Sequence, residues 1–214
     1  MKHLVLILAA LSASTTIAAD NGFYGYGSLG QASTNRKSQV DATITGAGIT
    51  AFSSQADETD TTYKIQAGWR FNPYFAVEGG YVDLGKYSYH ARSTAPVVAT
   101  RDGNLKTDAW NIGLVGSLPI NESFSLFANG GVFSYTTKFT YTGTGIACPN
   151  QNRSERGAPL YYGVGAAWNV TPNWFLRAEY EVYKNIGERF NTNGTTGTSR
   201  ADVKLGSIGV GYRF

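Results

Sequence analysis

Apolar and polar residues alternate strictly over residues 63–71 of this chain. Tyr63 and Trp69 belong to one face of the alternation, whereas Lys64 and Arg70 belong to the other. A period of two residues is typical of a β-strand with one apolar and one polar face. The apolar face is rich in aromatic residues near its ends, as expected of a strand that faces lipid. The pattern therefore predicts a strand with a lipid-facing side.

The same alternation recurs along the chain and predicts eight strands. The predicted spans are residues 22–32, 61–71, 74–85, 106–118, 123–137, 158–169, 173–185 and 202–214. Each span is long enough to cross a bilayer as a tilted strand, which takes about 9–11 residues. We therefore predict an all-β fold, an eight-stranded antiparallel transmembrane β-barrel.

The connections between the predicted strands alternate between short and long. The three short ones contain residues that favour tight turns, such as Asn72 and Pro73. The four long ones are the polar stretches 33–60, 86–105, 138–157 and 186–201, which we predict to be loops. Because outer-membrane barrels have short periplasmic turns and long external loops, both chain termini are expected on the periplasmic side.

The first residues of the chain indicate export. A basic start precedes an apolar run at residues 4–11, and small residues suitable for cleavage end at Ala19. This arrangement predicts a signal peptide at residues 1–19 and an outer-membrane barrel domain at residues 20–214. A membrane-anchoring helix is the alternative, but the apolar run is shorter than the roughly 20 residues that span a bilayer.

Composition favours a membrane barrel over a soluble one. Charged residues make up 15% of the chain and aromatic residues 14%, whereas soluble domains contain roughly 25% charged residues. A soluble eight-stranded barrel, such as a lipocalin, would bury its apolar face inside. Here the charged residues of the polar face accompany many glycines, which suits a narrow polar lumen. The net charge of +3 is too small to predict a nucleic-acid partner.

Several segments resemble the transmembrane domain of the OmpA family. They are residues 68–81, the turn at residues 169–172 with the strand after it, and residues 209–214. The resemblance spans nearly the whole predicted mature chain and implies an OmpA-like barrel in the outer membrane. It also implies that the aromatic Phe214 is the signal read by the barrel-assembly machinery. Many members continue into a peptidoglycan-binding domain, whereas this chain stops at Phe214 and is expected to be barrel-only and OmpX-like.

Glu78 and Arg177 are the first candidate functional residues. Each lies five residues after the proline of a predicted periplasmic turn, so both are expected at a similar depth inside the barrel. An eight-stranded barrel is just wide enough for its own side chains to fill, so we expect the two to meet across the lumen. The matching residues of the OmpA family belong to an ion-pair gate across a narrow pore, and the resemblance implies such a gate here.

The resemblance to that gate is incomplete. Val115 and Ala167 stand near the positions of its other two members, and Lys64, Arg70 and Glu179 are the candidate substitute partners. Static neutralisation is the alternative to a gate, because a buried charge without a partner is strongly destabilising. The sequence leaves both interpretations open.

The predicted loops offer little for chemistry. His90 lies near Ser88 and Asp102, but a lone loop histidine does not make a nucleophile–base pair. Cys148 is the only cysteine and is either a reactive or bridging thiol or, as we favour, an incidental loop residue. No metal-ligand spacing is present, so neither a metal nor a cofactor is predicted. The G-x-G-x-x-G match at residues 25–30 lies inside a strand and is interpreted as barrel wall, not as a nucleotide site.

Three functions stay open. The leading hypothesis is a structural and surface-interaction role, in membrane integrity, adhesion or recognition through four external loops. The second is a small ion-conducting pore with the ion-pair gate. An outer-membrane enzyme ranks last, and we predict no enzymatic activity. The expected partners are outer-membrane lipid and lipopolysaccharide, the barrel-assembly machinery and an unknown surface ligand, and the protein is expected to be a monomer.

Overall fold

A computed structural model describes residues 21–34, 51–95, 98–144, 151–187, 189–192, 195–198 and 200–214. The predicted signal peptide and Cys148 lie outside these residues. The described chain forms twelve strands. Their bounds are β1 Gly22–Thr34, β2 Ala51–Asp57, β3 Thr59–Asn72, β4 Phe75–Ala95, β5 Ala99–Pro119, β6 Phe124–Thr144, β7 Gln151–Gly157, β8 Leu160–Asn169, β9 Trp174–Ile186, β10 Arg189–Thr192, β11 Thr195–Thr198 and β12 Ala201–Arg213. Among the described residues, no helix is long and apolar enough to span a membrane.

Eight of these strands pair in a path that returns to its start. The order is β4-β3-β1-β12-β9-β8-β6-β5, and β5 pairs in turn with β4. All of these pairings are antiparallel, and β1 meets β12 through an unbroken register from Tyr24–Arg213 to Thr34–Val203. The predicted all-β antiparallel fold is therefore confirmed. The space that the eight strands enclose is called the lumen below.

The strand count within the described residues differs from the eight that we predicted. The additional strands β2, β7, β10 and β11 lie in the stretches predicted as loops, and β4 and β5 continue through most of 86–105. These stretches, which we predicted as loops, therefore form strands here. They are polar overall, although Tyr87, Ala91 and Leu105 point inward and are buried. Pairing with a neighbouring strand satisfies their backbone groups. Thus β2 pairs with β4 and β7 pairs with β6.

The two faces of the wall are as the alternation predicts. Trp110, Ile112 and Leu114 on β5 point outward and are 65%, 57% and 67% exposed. Their neighbours Asn111 and Val115 point into the lumen and are buried. Because the outward residues are apolar and the inward ones are mixed, the wall presents its hydrophobic surface to its surroundings, as a barrel in lipid does.

Apolar side chains fill the lumen at two levels. The loop-side cluster lies toward the long hairpins and comprises Ala32, Val82, Leu84, Tyr87, Leu105, Ala109, Phe133, Tyr135, Phe139, Tyr161, Tyr183, Ile186, Val203 and Leu205. The turn-side cluster lies toward the short turns and comprises Tyr24, Tyr26, Ala76, Val115, Phe127 and Phe175, with Ala167 packed against it. Polar side chains occupy the lumen between them.

A bulge marks the point where β4 leaves the ring of strands. Its register with β5 shifts between Asp83 and Lys86, and Gly85 adopts a positive φ of 87°. A Cβ at Gly85 would lie 2.8 Å from the Cβ of Asp60, whose carboxylate accepts the Lys86 N–H at 2.7 Å. Bulges bend the strand that carries them. This one separates the ring of eight strands from an external extension formed by β2, β7 and the distal halves of β4, β5 and β6.

Close packing of the wall predicts that Gly131→Ala destabilises the protein. A Cβ at Gly131 on β6 would overlap the carbonyl oxygen of Ile112 and the Cα of Gly113 on β5. Overpacking of this kind costs about 1–3 kcal/mol, measurable by urea unfolding of the refolded protein in lipid. Gly116→Ala is the matched control, because nothing lies within 4 Å of its Cβ. Equal stability of the two variants would contradict the pairing of β5 with β6.

Candidate functional site

Five charged side chains meet inside the lumen and are called the lumen network. Lys64 comes from β3, Glu78 from β4, and Arg177, Glu179 and Glu181 from β9. All five are between 1% and 6% exposed. The three residues of β9 share one face because alternate residues of a strand point the same way. Ring closure then brings β3 and β4 opposite to them.

Arg177 joins two carboxylates. Its Nη1 and Nη2 donate to Oε1 and Oε2 of Glu78 at 2.5 and 3.1 Å, and its Nε donates to Oε2 of Glu179 at 3.0 Å. The guanidinium lies 4.0 Å from the ring centre of Phe127 and 4.5 Å from that of Tyr26. Bidentate pairing combined with stacking fixes both the position and the plane of this side chain.

Lys64 joins the other carboxylates. Its Nζ contacts Glu179 and also donates to Oε2 of Glu181 at 2.8 Å. Glu181 further accepts the Asn129 amide at 2.9 Å and the Tyr183 hydroxyl at 3.2 Å. The lumen network is therefore one continuous chain of ion pairs that runs from Glu78 through Arg177, Glu179 and Lys64 to Glu181.

Two tyrosine hydroxyls complete the partners of Glu78. Tyr24 donates to its Oε1 at 2.5 Å and Tyr26 donates to its Oε2 at 3.2 Å. Both tyrosines point inward from β1, on the residues that alternate with the outward glycines of the G-x-G-x-x-G match. The carboxylate of Glu78 is thus held by a cation and two hydroxyls.

Four of the five predicted lumen residues are brought together: Lys64, Glu78, Arg177 and Glu179. Arg70 is not part of the network and lies over the Tyr24 ring, 5.8 Å from its centre. Val115 and Ala167, which we placed near the other two positions of the implied gate, pack in the turn-side cluster. Both positions are apolar.

Sequence reasoning missed Glu181, Asn129 and the two β1 tyrosines as members of the site. Glu181 continues the alternation of Arg177 and Glu179, so the period of β9 already placed it on the same face. Asn129 and the tyrosines carry no charge, and no local signal distinguishes them from other inward residues. Their role follows from which strands face one another across the lumen.

A small cavity lies at the turn-side end of the lumen network. It has a volume of about 20 Å³ and adjoins Glu78 and Arg177, between Tyr24, Phe127 and Phe175. A volume of this size holds about one water molecule. The network itself lies between the loop-side and turn-side clusters.

The other residues that we singled out lie near the two ends of the wall. His90 contacts Asp102 through Nδ1 on the outer face of β4 and β5, where both side chains are about half exposed. A cavity of about 230 Å³ adjoins this pair and is also lined by Ser88 and Asp57. Phe214 is 60% exposed, and its N–H donates to the Phe23 carbonyl at 3.0 Å. Among the described residues, no three His, Cys, Asp or Glu side chains are arranged to hold a metal ion.

Comparison with known proteins gives a family match over residues 18–214, to the model of the OmpA-like transmembrane domain. The outer membrane protein A of Klebsiella pneumoniae is 28% identical over 91% of this chain and 47% of its own length. That of Escherichia fergusonii is 31% identical over 69% of this chain and 38% of its own length. The chain thus spans less than half the length of these relatives.

Solved outer-membrane proteins share the fold. The crystal structure of OprG from Pseudomonas aeruginosa is similar with a TM-score of 0.53, at 13% identity, over 93% of this chain and 99% of that one. The structure of AlkL in lipid bilayers gives a TM-score of 0.51 at 12% identity, over 95% and 96% of the two chains. Identities this low carry information about fold alone.

The paired geometry predicts strong coupling between Glu78 and Arg177. Removing one partner of a buried ion pair leaves an uncompensated charge and costs about 3–5 kcal/mol. We expect Glu78→Ala and Arg177→Ala each to lose about that much stability, and the double variant to lose much less than their sum. Urea unfolding of all three measures the coupling.

Glu122→Ala is the control for this cycle, because Glu122 lies exposed in a short turn. It is expected to unfold like the wild type. Additive losses in the double variant would show that Glu78 and Arg177 do not act as a pair.

Proposed function

Because the chain belongs to the OmpA-like transmembrane domain family, we propose that it is a sealed eight-stranded barrel with a structural and surface-interaction role. It is an outer-membrane β-barrel protein. The proposed role is membrane integrity, adhesion or recognition of a surface ligand through the external extension. We propose no catalytic role, and we infer a monomer that contacts lipid and lipopolysaccharide.

The ring β4-β3-β1-β12-β9-β8-β6-β5 supports eight membrane-crossing strands. An outward aromatic chain crosses three of them, with ring centres of Tyr63 and Tyr81 5.9 Å apart and those of Tyr81 and Trp110 5.5 Å apart. At the other end, Trp174 packs edge to face against Tyr212, and Tyr212 does so against Phe214. Aromatic girdles at both interfaces are typical of such barrels. The exposed aromatic Phe214 also supports recognition by the barrel-assembly machinery.

The external extension carries the proposed surface role. From Trp110 in the outer girdle, β5 continues for eleven residues to Ala99, which is roughly 35 Å of strand at about 3.3 Å per residue. It pairs on one side with β4 as far as Ser93 and on the other side with β6 as far as Thr144. With β2 and β7 at its edges, the extension is a five-stranded sheet that places polar side chains well beyond the membrane.

Two apolar layers support a sealed lumen. The loop-side and turn-side clusters lie on either side of the lumen network. Ions crossing such a barrel would have to pass Phe133 and Tyr183 above the network and Phe127 and Phe175 below it. An ion on that path would lose its hydration among apolar rings, which is energetically unfavourable.

A pore with an ion-pair gate is the second candidate. The observation that favours it is the pairing of Glu78 with Arg177 across the lumen at 2.5 and 3.1 Å, as in the gate that the resemblance implies. Lys64 and Glu179 offer alternative partners, whereas Arg70 does not contact the network.

Bilayer recording separates the two candidates. We expect neither the wild type nor Glu78→Ala to conduct in steps above leak, because the apolar clusters stay in place when the ion pair is broken. A porin reconstituted in the same way is the positive control. Steps that open in Glu78→Ala would contradict a sealed lumen and favour the gate.

Shortening the extension tests the surface role. We expect a variant with residues 88–104 replaced by Asn-Gly to fold, because these residues lie beyond the ring of eight strands, and to lose surface binding. Folding is checked by gel mobility before and after heating, and function by adhesion of cells that display the protein. The matched control replaces the short turn at residues 120–123 with Asn-Gly. Equal adhesion and membrane integrity in both variants would rule out a role for the extension.

A further inference from the structure

The lumen network contains one more carboxylate than it has cations. Among the described residues, Glu78, Glu179 and Glu181 form their ion pairs with Lys64 and Arg177. Arg70 and Arg213 line the turn-side cavity next to Glu78, a cavity that Glu181 does not line. With all five groups ionised the network carries a charge of −1. The tyrosine, asparagine and serine side chains that complete it donate hydrogen bonds but bring no charge.

Solvent does not compensate this charge. Glu181 is 1% exposed, and Glu78 and Glu179 are 4% and 6% exposed. Apolar clusters lie on both sides of them, and the cavity of about 20 Å³ beside Glu78 and Arg177 holds about one water molecule. A buried charge without a partner costs several kcal/mol. The network therefore favours the uptake of one further positive charge.

Glu181 is the carboxylate with the weakest cationic support. Glu179 meets both Lys64 and Arg177, and Glu78 is paired bidentately with Arg177. Glu181 meets Lys64 alone, which it shares with Glu179. Its other partners, Asn129 and Tyr183, are neutral. Excess negative charge is therefore concentrated on Glu181.

An unpartnered oxygen lies beside that carboxylate. Asn129 is 7% exposed, and its Oδ1 is buried without a hydrogen-bond partner, although its Nδ2 donates to Glu181. A Cβ built at Gly163 would lie 2.7 Å from both Asn129 Oδ1 and Glu181 Cγ, so the absence of a side chain there leaves the two groups facing one another. A buried amide oxygen next to a carboxylate lacks a donor or a cation.

We propose that the lumen network binds one small monovalent cation, a proton or an alkali ion, at Glu181 and Asn129. A proton and an alkali ion share the property that the site requires, because each is small and carries a single positive charge. A proton makes Glu181 a neutral acid, and an alkali ion is held by the carboxylate and the amide oxygen. Either one brings the network to zero charge.

Charged and titratable groups face the site from five strands of the ring. They are Lys64 of β3, Tyr26 of β1, Glu78 of β4, Tyr161 of β8, and Arg177, Glu179 and Tyr183 of β9. The phenols are neutral and the two cations are already paired. The charge that changes on binding is therefore that of Glu181.

The test measures unfolding of the full chain in lipid vesicles for wild type, Glu181→Gln and Asn129→Leu. A cation that binds only the folded state stabilises it, and the stabilisation grows with the logarithm of its free concentration once that exceeds the dissociation constant. If the cation is a proton, raising the pH increases the wild-type unfolding constant by up to about tenfold per pH unit relative to Glu181→Gln. If it is an alkali ion, replacing choline with sodium at constant ionic strength stabilises the wild type and not Glu181→Gln.

The variants also separate binding from simple packing. Glu181→Gln is expected to fold and to be at least as stable as the wild type at neutral pH, because its network is already neutral. Asn129→Leu keeps the charge of Glu181 and removes the amide oxygen, so it is expected to weaken a dependence on sodium and to leave a dependence on pH in place. Glu122→Gln, an exposed control, is expected to keep the wild-type dependence. The proposal is overturned if Glu181→Gln raises the unfolding constant more than tenfold. It is also overturned if the unfolding of Glu181→Gln and of the wild type responds equally to pH and to sodium.

Discussion

Charge neutralisation inside a buried lumen is the constraint on which the rest of this structure depends. Lipid surrounds the wall, and apolar clusters close the lumen on both sides of Lys64 and Arg177, so each buried charge has to find its partner in the protein. The side chains that surround these charges are large, so the lumen has to leave room for them. Inward glycines supply the room: a Cβ at Gly68 would overlap the Tyr24 ring, and one at Gly211 would overlap Phe175. The high glycine content of the chain is thus tied to the size of its lumen side chains.

The same constraint divides the molecule into two parts with different roles. Inside the membrane, the wall encloses the lumen network and the two apolar clusters. Beyond the outer girdle, β4, β5 and β6 continue as a polar sheet with β2 and β7 at its edges. The first part is suited to anchoring and the second to contact, because loops and edges on a rigid scaffold are where binding residues are usually placed.

Periodicity predicted the wall well and the extension poorly. Residues 63–71 and 207–214 alternate between lipid and lumen, and a membrane makes that alternation strict because each face has a different solvent. The contrast is weaker outside the ring. Residues 51–57 mix polar and apolar residues on both sides, whereas residues 88–95 place Tyr89 and Ala91 on the side opposite to His90 and Arg92. Their strands form because a neighbouring strand offers backbone partners, and a neighbour is not a property of the local sequence.

The sequence by itself determined which residues face inward, where the short turns lie, and that Glu78, Arg177, Lys64 and Glu179 belong to the lumen. Alternation and turn chemistry are local properties, so the sequence alone is enough to predict them. Only the tertiary structure decided the pairing. Lys64 and Glu181 are 117 residues apart and Glu78 and Arg177 are 99 apart, and the stagger of strands around the ring sets which of them share a level. That stagger left Arg70 over an aromatic ring, placed Asn129 beside Glu181, and left three carboxylates facing two cations.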